Sequence, residues 1–138
     1  VWTKKGTGTL TFSADSSFLS GSTRVDEGTL RIANTYTKNI TVNAGGTLDG
    51  TGTAGAITLS GVTLGAGDGT GVGIPGVGVL QGTSLLWQSG LLAFDLSDPN
   101  SSAASDRLDL SGFFNKGTSP GPFTFAFFNA GGAVTGTT

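Results

Sequence analysis

The tripeptide Gly-Thr-Leu occurs at Gly8-Thr9-Leu10, Gly28-Thr29-Leu30 and Gly46-Thr47-Leu48, and the interval from Thr9 to Thr29 is nearly that from Thr29 to Thr47. Each copy closes a short alternating segment: Val1 to Phe12, Ser22 to Ile32 and Asn39 to Leu48. A near-constant period of this length is the signature of a coil stacked on copies of itself, because one repeat alone cannot bury its apolar face. Leu10 and Phe12 alternate with Thr and so share one side of a strand, and Leu30 and Ile32 repeat that arrangement. The Gly is expected to turn the chain between two strands of a coil, and the Leu to form a rung of an internal ladder.

Composition agrees with strands. Gly, Thr and Ser make up 60 of the 138 residues, yet 36% of the chain is hydrophobic and nine residues are Phe, an apolar content that disordered chains lack. Thr, Val, Ile, Phe and Leu suit a pleated, half-buried surface, and Gly serves the turns. No stretch has helical periodicity, so almost no helix is expected. The reading is an all-β chain, a right-handed parallel β-helix of short coils, with a β-sandwich as the alternative because hairpins give similar spacing. Residues 1–138 are read as a single solenoid domain or a segment of a longer protein. Residues 1–48 are its regular repeats, 49–89 its Gly-rich irregular coils and 90–138 its more hydrophobic terminal strands.

In detail, Phe18 and Leu19 are expected to plug the core, Trp2 to cover an end of it, and Asn34 to Lys38 to form a loop around Tyr36. Ile57-Thr58-Leu59 and Val62-Thr63-Leu64 read as two strands split at Ser60-Gly61. Gly65 to Gly78 reads as an exposed loop and Asn115 to Pro122 as a turn. Phe123 to Phe128 reads as the strand that closes the core, and the tail after it as the start of a strand cut short.

The net charge of −2 argues against nucleic acid, which demands clustered Lys and Arg. No run of about 18 apolar residues is present to span a bilayer. With no Cys and no His, neither a disulfide nor a Ser-His-Asp or Cys-His site can be built, and no enzyme is expected. The best metal candidate is a set of oxygen ligands around one loop, Asp95, Asp98, Asn100, Asp106 and Asp109, which suits calcium. The competing account is turn chemistry at Asp98-Pro99-Asn100 and pairing of Arg107 with a neighbouring Asp. Gly65 to Gly71 is a single imperfect copy of a Gly-rich calcium nonapeptide, a motif that works by tandem repetition. Trp2, Trp87, Tyr36 and Phe113-Phe114 offer either a glycan-stacking surface or core and cap packing. Asn39-Ile40-Thr41 and Asn100-Ser101-Ser102 have the form of glycosylation sequons.

Lys5-Gly6-Thr7-Gly8-Thr9-Leu10-Thr11-Phe12, followed by Leu19 to Leu30, resembles the autotransporter-associated β-strand repeat, with Phe18 where that family often has Tyr. The resemblance runs from Val1 to Ile32 and takes in Asn39 to Leu48 in part. Phe94-Asp95-Leu96 with Ser105 to Gly112 is similar to the segment that often follows such repeats. The resemblance implies a bacterial passenger region, secreted or displayed at the cell surface, built as a β-helical stalk in adhesion, extracellular matrix or filament formation. Open strand edges at the ends of such a stack make end-to-end self-association an expected partnership. The alternative, from a different class, is a carbohydrate-binding or calcium-stabilised binding module with surface glycans as partners.

Overall fold

The computed structural model describes residues 1–67, 77–96, 105–129 and 132–137, and among them there is no helix. The chain winds through coils whose strands lie on three faces. The first face holds β1 (Trp2–Lys4), β3 (Thr23–Val25), β6 (Ile40–Val42) and β13 (Phe114–Lys116). The second holds β2 (Thr9–Phe12), β4 (Gly28–Ile32), β7 (Gly46–Gly50) and β14 (Phe123–Asn129). Two long strands, β9 (Ala56–Gly65) and β11 (Ser84–Asp95), run through both of these faces and join them in one sheet of 11 strands. The third face is a separate sheet of β5 (Thr35–Tyr36), β8 (Thr53–Ala54), β10 (Val79–Gly82) and β12 (Arg107–Leu110).

Pairing between successive coils is parallel on all three faces. That is a parallel β-helix, and it excludes the sandwich, whose neighbouring strands would be antiparallel hairpins. The register lines up the tripeptides: Thr9 opposes Thr29 and Thr29 opposes Thr47. The Leu column then continues beyond the visible repeat. Leu10, Leu30, Leu48, Leu64, Leu92 and Phe125 are consecutive rungs. On the first face Val25, Val42, Leu59 and Trp87 form a second ladder, beside Ile40, Ile57 and Leu85. All of these from coil 2 to coil 5 are buried, and they form one continuous cluster.

In the second and third copies of the tripeptide the Gly is required by the stacking. Gly28 has φ +68, and a Cβ there would collide with the carbonyl oxygens of Gly6 and Gly8 in the coil before it. Gly46, with ordinary φ, would place a Cβ 2.5 Å from the Val25 carbonyl oxygen, again in the preceding coil.

Several local expectations are corrected. Asn34 to Lys38 is not merely a loop, because Thr35 and Tyr36 form β5 and Tyr36 is fully buried. The Tyr36 hydroxyl lies 2.6 Å from the Thr23 hydroxyl and donates to the Gly21 carbonyl at 3.2 Å, which allows a phenol inside the core. Phe18 is 80% exposed, so only Leu19 of the expected plug packs against the core. Ser16 is instead the buried member of that turn, its amide bonded to the Thr35 carbonyl at 2.8 Å. Ile57 to Leu64 is one strand rather than two, its irregularity taken up by register shifts in β11. Asn115 and Lys116 belong to β13, not to a turn. The tail carries β15 (Gly132–Thr137), which pairs antiparallel with β14. It is a hairpin folded back on the last coil and not the start of another parallel strand.

Candidate functional surfaces

The corner between the second and third faces is where coils differ. Two residues turn it in the second and third coils, 33–34 and 51–52. In the next two coils the connection between the strands is longer, residues 66–78 and 96–106. The third-face register accordingly makes two long jumps, from Thr53 to Gln81 and again from Gln81 to Asp109. Antiparallel bridges Gly50–Gly67 and Leu96–Ser105 mark where the chain departs or returns. Asp106 ties these places together. Its Oδ1 accepts from the Gly78 amide at 2.9 Å and its Oδ2 from the Asp95 amide at 2.8 Å.

The calcium candidates distribute around this corner as follows. Asp95 ends β11, and Asp106 spends both carboxylate oxygens on backbone amides. Asp109 lies on β12, where Arg107 Nε and Nη2 donate to its two oxygens at 2.6 and 2.9 Å. That pairing raises the Arg107 pKa, first through the hydrogen bond and then through the charge. Asp98 and Asn100 lie outside the described residues, as do most of Gly65 to Gly78. Among the described residues, no three His, Cys, Asp or Glu side chains come together as a metal-holding group.

A polar pairing that the sequence reading did not single out is Arg31 with Asp49. They oppose each other across β4 and β7, with Nε to Oδ1 at 2.9 Å and Nη2 to Oδ2 at 2.7 Å. Asp49 is fully buried. The signal was available, since Arg31 and Asp49 stand as far apart in the chain as Thr29 and Thr47, one coil period. In the turn after β3, Asp26 accepts from Asn43 Nδ2 at 2.8 Å and from Arg24 at 3.0 and 3.1 Å. The Asn43 bond, then the Arg24 bond, hold its carboxyl below the usual Asp value.

The aromatic residues do not form one glycan-stacking surface. Tyr36 and Trp87 are inside, and Trp87 meets the rings of Phe114, Phe123 and Phe125 with centroids 6.0, 5.1 and 5.0 Å away. Trp2 is exposed on the first coil and Phe113 on the last, at opposite ends of the stack. What the outer surface does offer is a shallow groove of ≈ 610 Å³ on the third face. Thr53, Gln81 and Asp109 form one side and Thr37, Thr83 and Ser111 the other, with Ala54, Gly82 and Leu110 between them. Asn39 of the first sequon is exposed, and Asn100 of the second lies outside the described residues.

The two ends of the stack differ. At the amino-terminal end β1 and β2 are paired on one side only, and Val1, Trp2, Leu10 and Phe18 are exposed. At the other end β15 covers the edge of β14, while β12 and β13 are paired on one side among the described strands.

Three strand faces in parallel register, sharing continuous apolar ladders, define a β-solenoid protein. Within it, residues 3–32, from inside β1 to the end of β4, match the family model described as passenger-associated-transport-repeat. No curated protein and no solved structure matches the chain. No helix among the described residues is long and apolar enough to cross a membrane, which leaves strands out of consideration.

Proposed function

We propose that this chain is a structural shaft segment of a bacterial passenger protein displayed or released at the cell surface. The carrying observation is the uninterrupted rung series from Leu10 to Phe125, which begins inside the passenger-associated repeat and continues past it. Six rungs spaced about 4.8 Å apart give a rigid shaft of roughly 24 Å. Such a shaft holds whatever adhesive, matrix-forming or filament-forming part the protein bears away from the membrane. Its sequence carries few charges, which suits a spacer. The test is labelling of intact cells with an antibody raised against residues 1–138. Labelling without permeabilisation is expected; label that appears only after permeabilisation rules the reading out.

A second reading rests on the third-face groove. Its rim of hydroxyls, the Gln81 amide and the Asp109 carboxylate suits the hydroxyls of a glycan, with Gln81 and Thr53 already sharing a 3.0 Å hydrogen bond as a preorganised edge. A glycan array that is blank for this protein eliminates it. Its calcium-stabilised version requires a higher melting temperature with calcium than with EGTA.

A further inference from the structure

We infer that the first and last coils are built to resist pairing with each other, so that copies of this chain do not polymerise end to end, and that Lys4 and Lys116 form this block together with β15. The block does not depend on where the protein is displayed. It opposes the end-to-end partnership that open strand edges alone would favour. One column of the first face carries the electrostatic half. From coil to coil its register runs Lys4, Val25, Val42, Leu59, Trp87, Lys116. The four inner members are buried and belong to the apolar cluster. An apolar ladder has no use for charge, yet a lysine stands at each of its ends.

Both ammonium groups are held in place there. Lys4 Nζ donates to the carbonyl oxygen of Gly6 at 2.6 Å and to those of Lys5 and Glu27 at 3.0 Å each. Lys116 Nζ lies over the Phe123 ring, 4.4 Å from its centroid, and Phe123 meets Trp87 edge-on. Among the described residues no carboxylate pairs with either lysine. Were the last coil of one copy to seat on the first coil of another in the register of the stack, the two lysines would face each other about 4.8 Å apart, one strand spacing. Like charges directly opposite each other destabilise a strand pair, and closing the contact would also strip water from both. Inward-pointing charge is one of the ways in which proteins blunt a strand edge.

Shape carries the other half. β15 lies antiparallel on β14 over six register pairs, whereas β13 is paired on one side only among the described strands. The last coil therefore presents a step, one strand taller on the second face than on the first. The first coil has no matching step, since β1 and β2 both rest on the next coil, through β3 and β4. What β15 covers explains its use. β14, Phe-Thr-Phe-Ala-Phe-Phe-Asn, has neither charge nor Pro, and bare it would be an edge prone to association.

The experiment uses the whole chain. Val134→Pro with Thr135→Pro detaches β15, because successive residues of an antiparallel strand alternate in bonding and one of the two prolines removes a ladder donor in either phase. Sedimentation equilibrium compares this chain with the same chain carrying Lys116→Glu, which sets opposite charges in the column. The original chain and the proline chain are expected to be monomers. Adding Lys116→Glu to the proline chain is expected to raise the average mass at least about twofold, although it makes an acidic protein more acidic. Self-association of the original chain, equal association of the two proline chains, or a monomeric Lys116→Glu proline chain overturns the inference. Should the prolines unfold the chain, Lys116→Glu is compared with the original in the unaltered background a few degrees below melting, where a strand bonded on one side opens before the core. Faster oligomer growth for Lys116→Glu supports the block, and equal or slower growth overturns it. All of this uses purified protein, so its failure is distinct from a failure of the surface-labelling test.

Discussion

The second and third coils and the last two coils solve the same packing problem with different residues. In the former, Leu30 lies under Leu48 and Val25 under Val42, aliphatic residues under copies of themselves, and Ile40 of the third coil continues under Ile57 of the fourth. In the latter, the same columns carry Trp87 and Phe125, and the neighbouring rings of Phe114 and Phe123 close around the indole. The Trp87 Nε1–H is satisfied by the Gly90 carbonyl at 3.2 Å. An internal rung must match the coils on both sides, which favours side chains of one size. Phe125 is the last rung of its column, while Trp87 lies between Leu59 and Lys116, and the rings of Phe114, Phe123 and Phe125 from the last coil close over it. The difference teaches that a solenoid's interior is set by repetition and its end by volume.

The largest expected effect tests that contrast directly. Trp87→Ala should cost about 3–5 kcal/mol, near the upper end for core truncations, because three ring contacts are lost with the buried indole. Leu48→Ala should cost less, about 2–3 kcal/mol, within the ordinary range for a buried Leu. Urea unfolding measures both. Since each coil contacts mainly its neighbours, native-state hydrogen exchange should show Trp87→Ala loosening β11 to β14 while β3 to β7 keep their protection. Uniform loss of protection along the stack would break the contrast.

How much of this was legible in the sequence follows the same division. The rungs Leu10, Leu30 and Leu48 announce themselves because little lies between them but short turns. The rungs Leu64 and Leu92 do not, since the long connection of residues 66–78 falls between them. The third face was missed outright in the early coils: β5 and β8 are two residues each, too short for alternation to register. Trp87 and Phe125 were visible as apolar residues, but their meeting depends on coil register. The Asp-rich stretch was visible as composition. That Asp106 serves two backbone amides could not be read there, because Gly78 belongs to the preceding coil and Asp95 lies across the second long connection.

A smaller effect is expected inside the regular part, where Tyr36 sets a phenol among aliphatic rungs. Tyr36→Phe removes the hydroxyl that bonds the Gly21 carbonyl and meets the buried Thr23 hydroxyl. Leaving Thr23 unsatisfied should cost about 1–2 kcal/mol, while pairing the change with Thr23→Val should recover part of the loss, since the polar partner is then removed as well. A double variant no better than Tyr36→Phe alone would place the cost in the lost bond to the Gly21 carbonyl rather than in the unsatisfied Thr23 hydroxyl.

The smallest effect separates the regular coils by pH. Asp26 in the second coil accepts from Asn43 in the third, and this bond, with the Arg24 pair, lowers its folded pKa below the ordinary Asp value. A lowered folded value means the carboxylate binds its proton more weakly in the native state than in the unfolded chain. Its contribution to stability is therefore complete above the unfolded pKa and disappears as pH falls through the folded one. Asp26→Asn should thus be less stable than the native chain at about pH 7, and the two should converge once the pH falls below the lowered folded pKa, where both side chains are neutral. Arg24 is half exposed, so the Asn43 bond between coils, and not the ion pair, is expected to carry the difference. Asn43→Ala should then remove most of the pH dependence attributable to Asp26, whereas Arg24→Gln should leave much of it. If Arg24→Gln instead removes it all, the coupling runs along one coil and not between two, and Asp26 contributes nothing to the stacking.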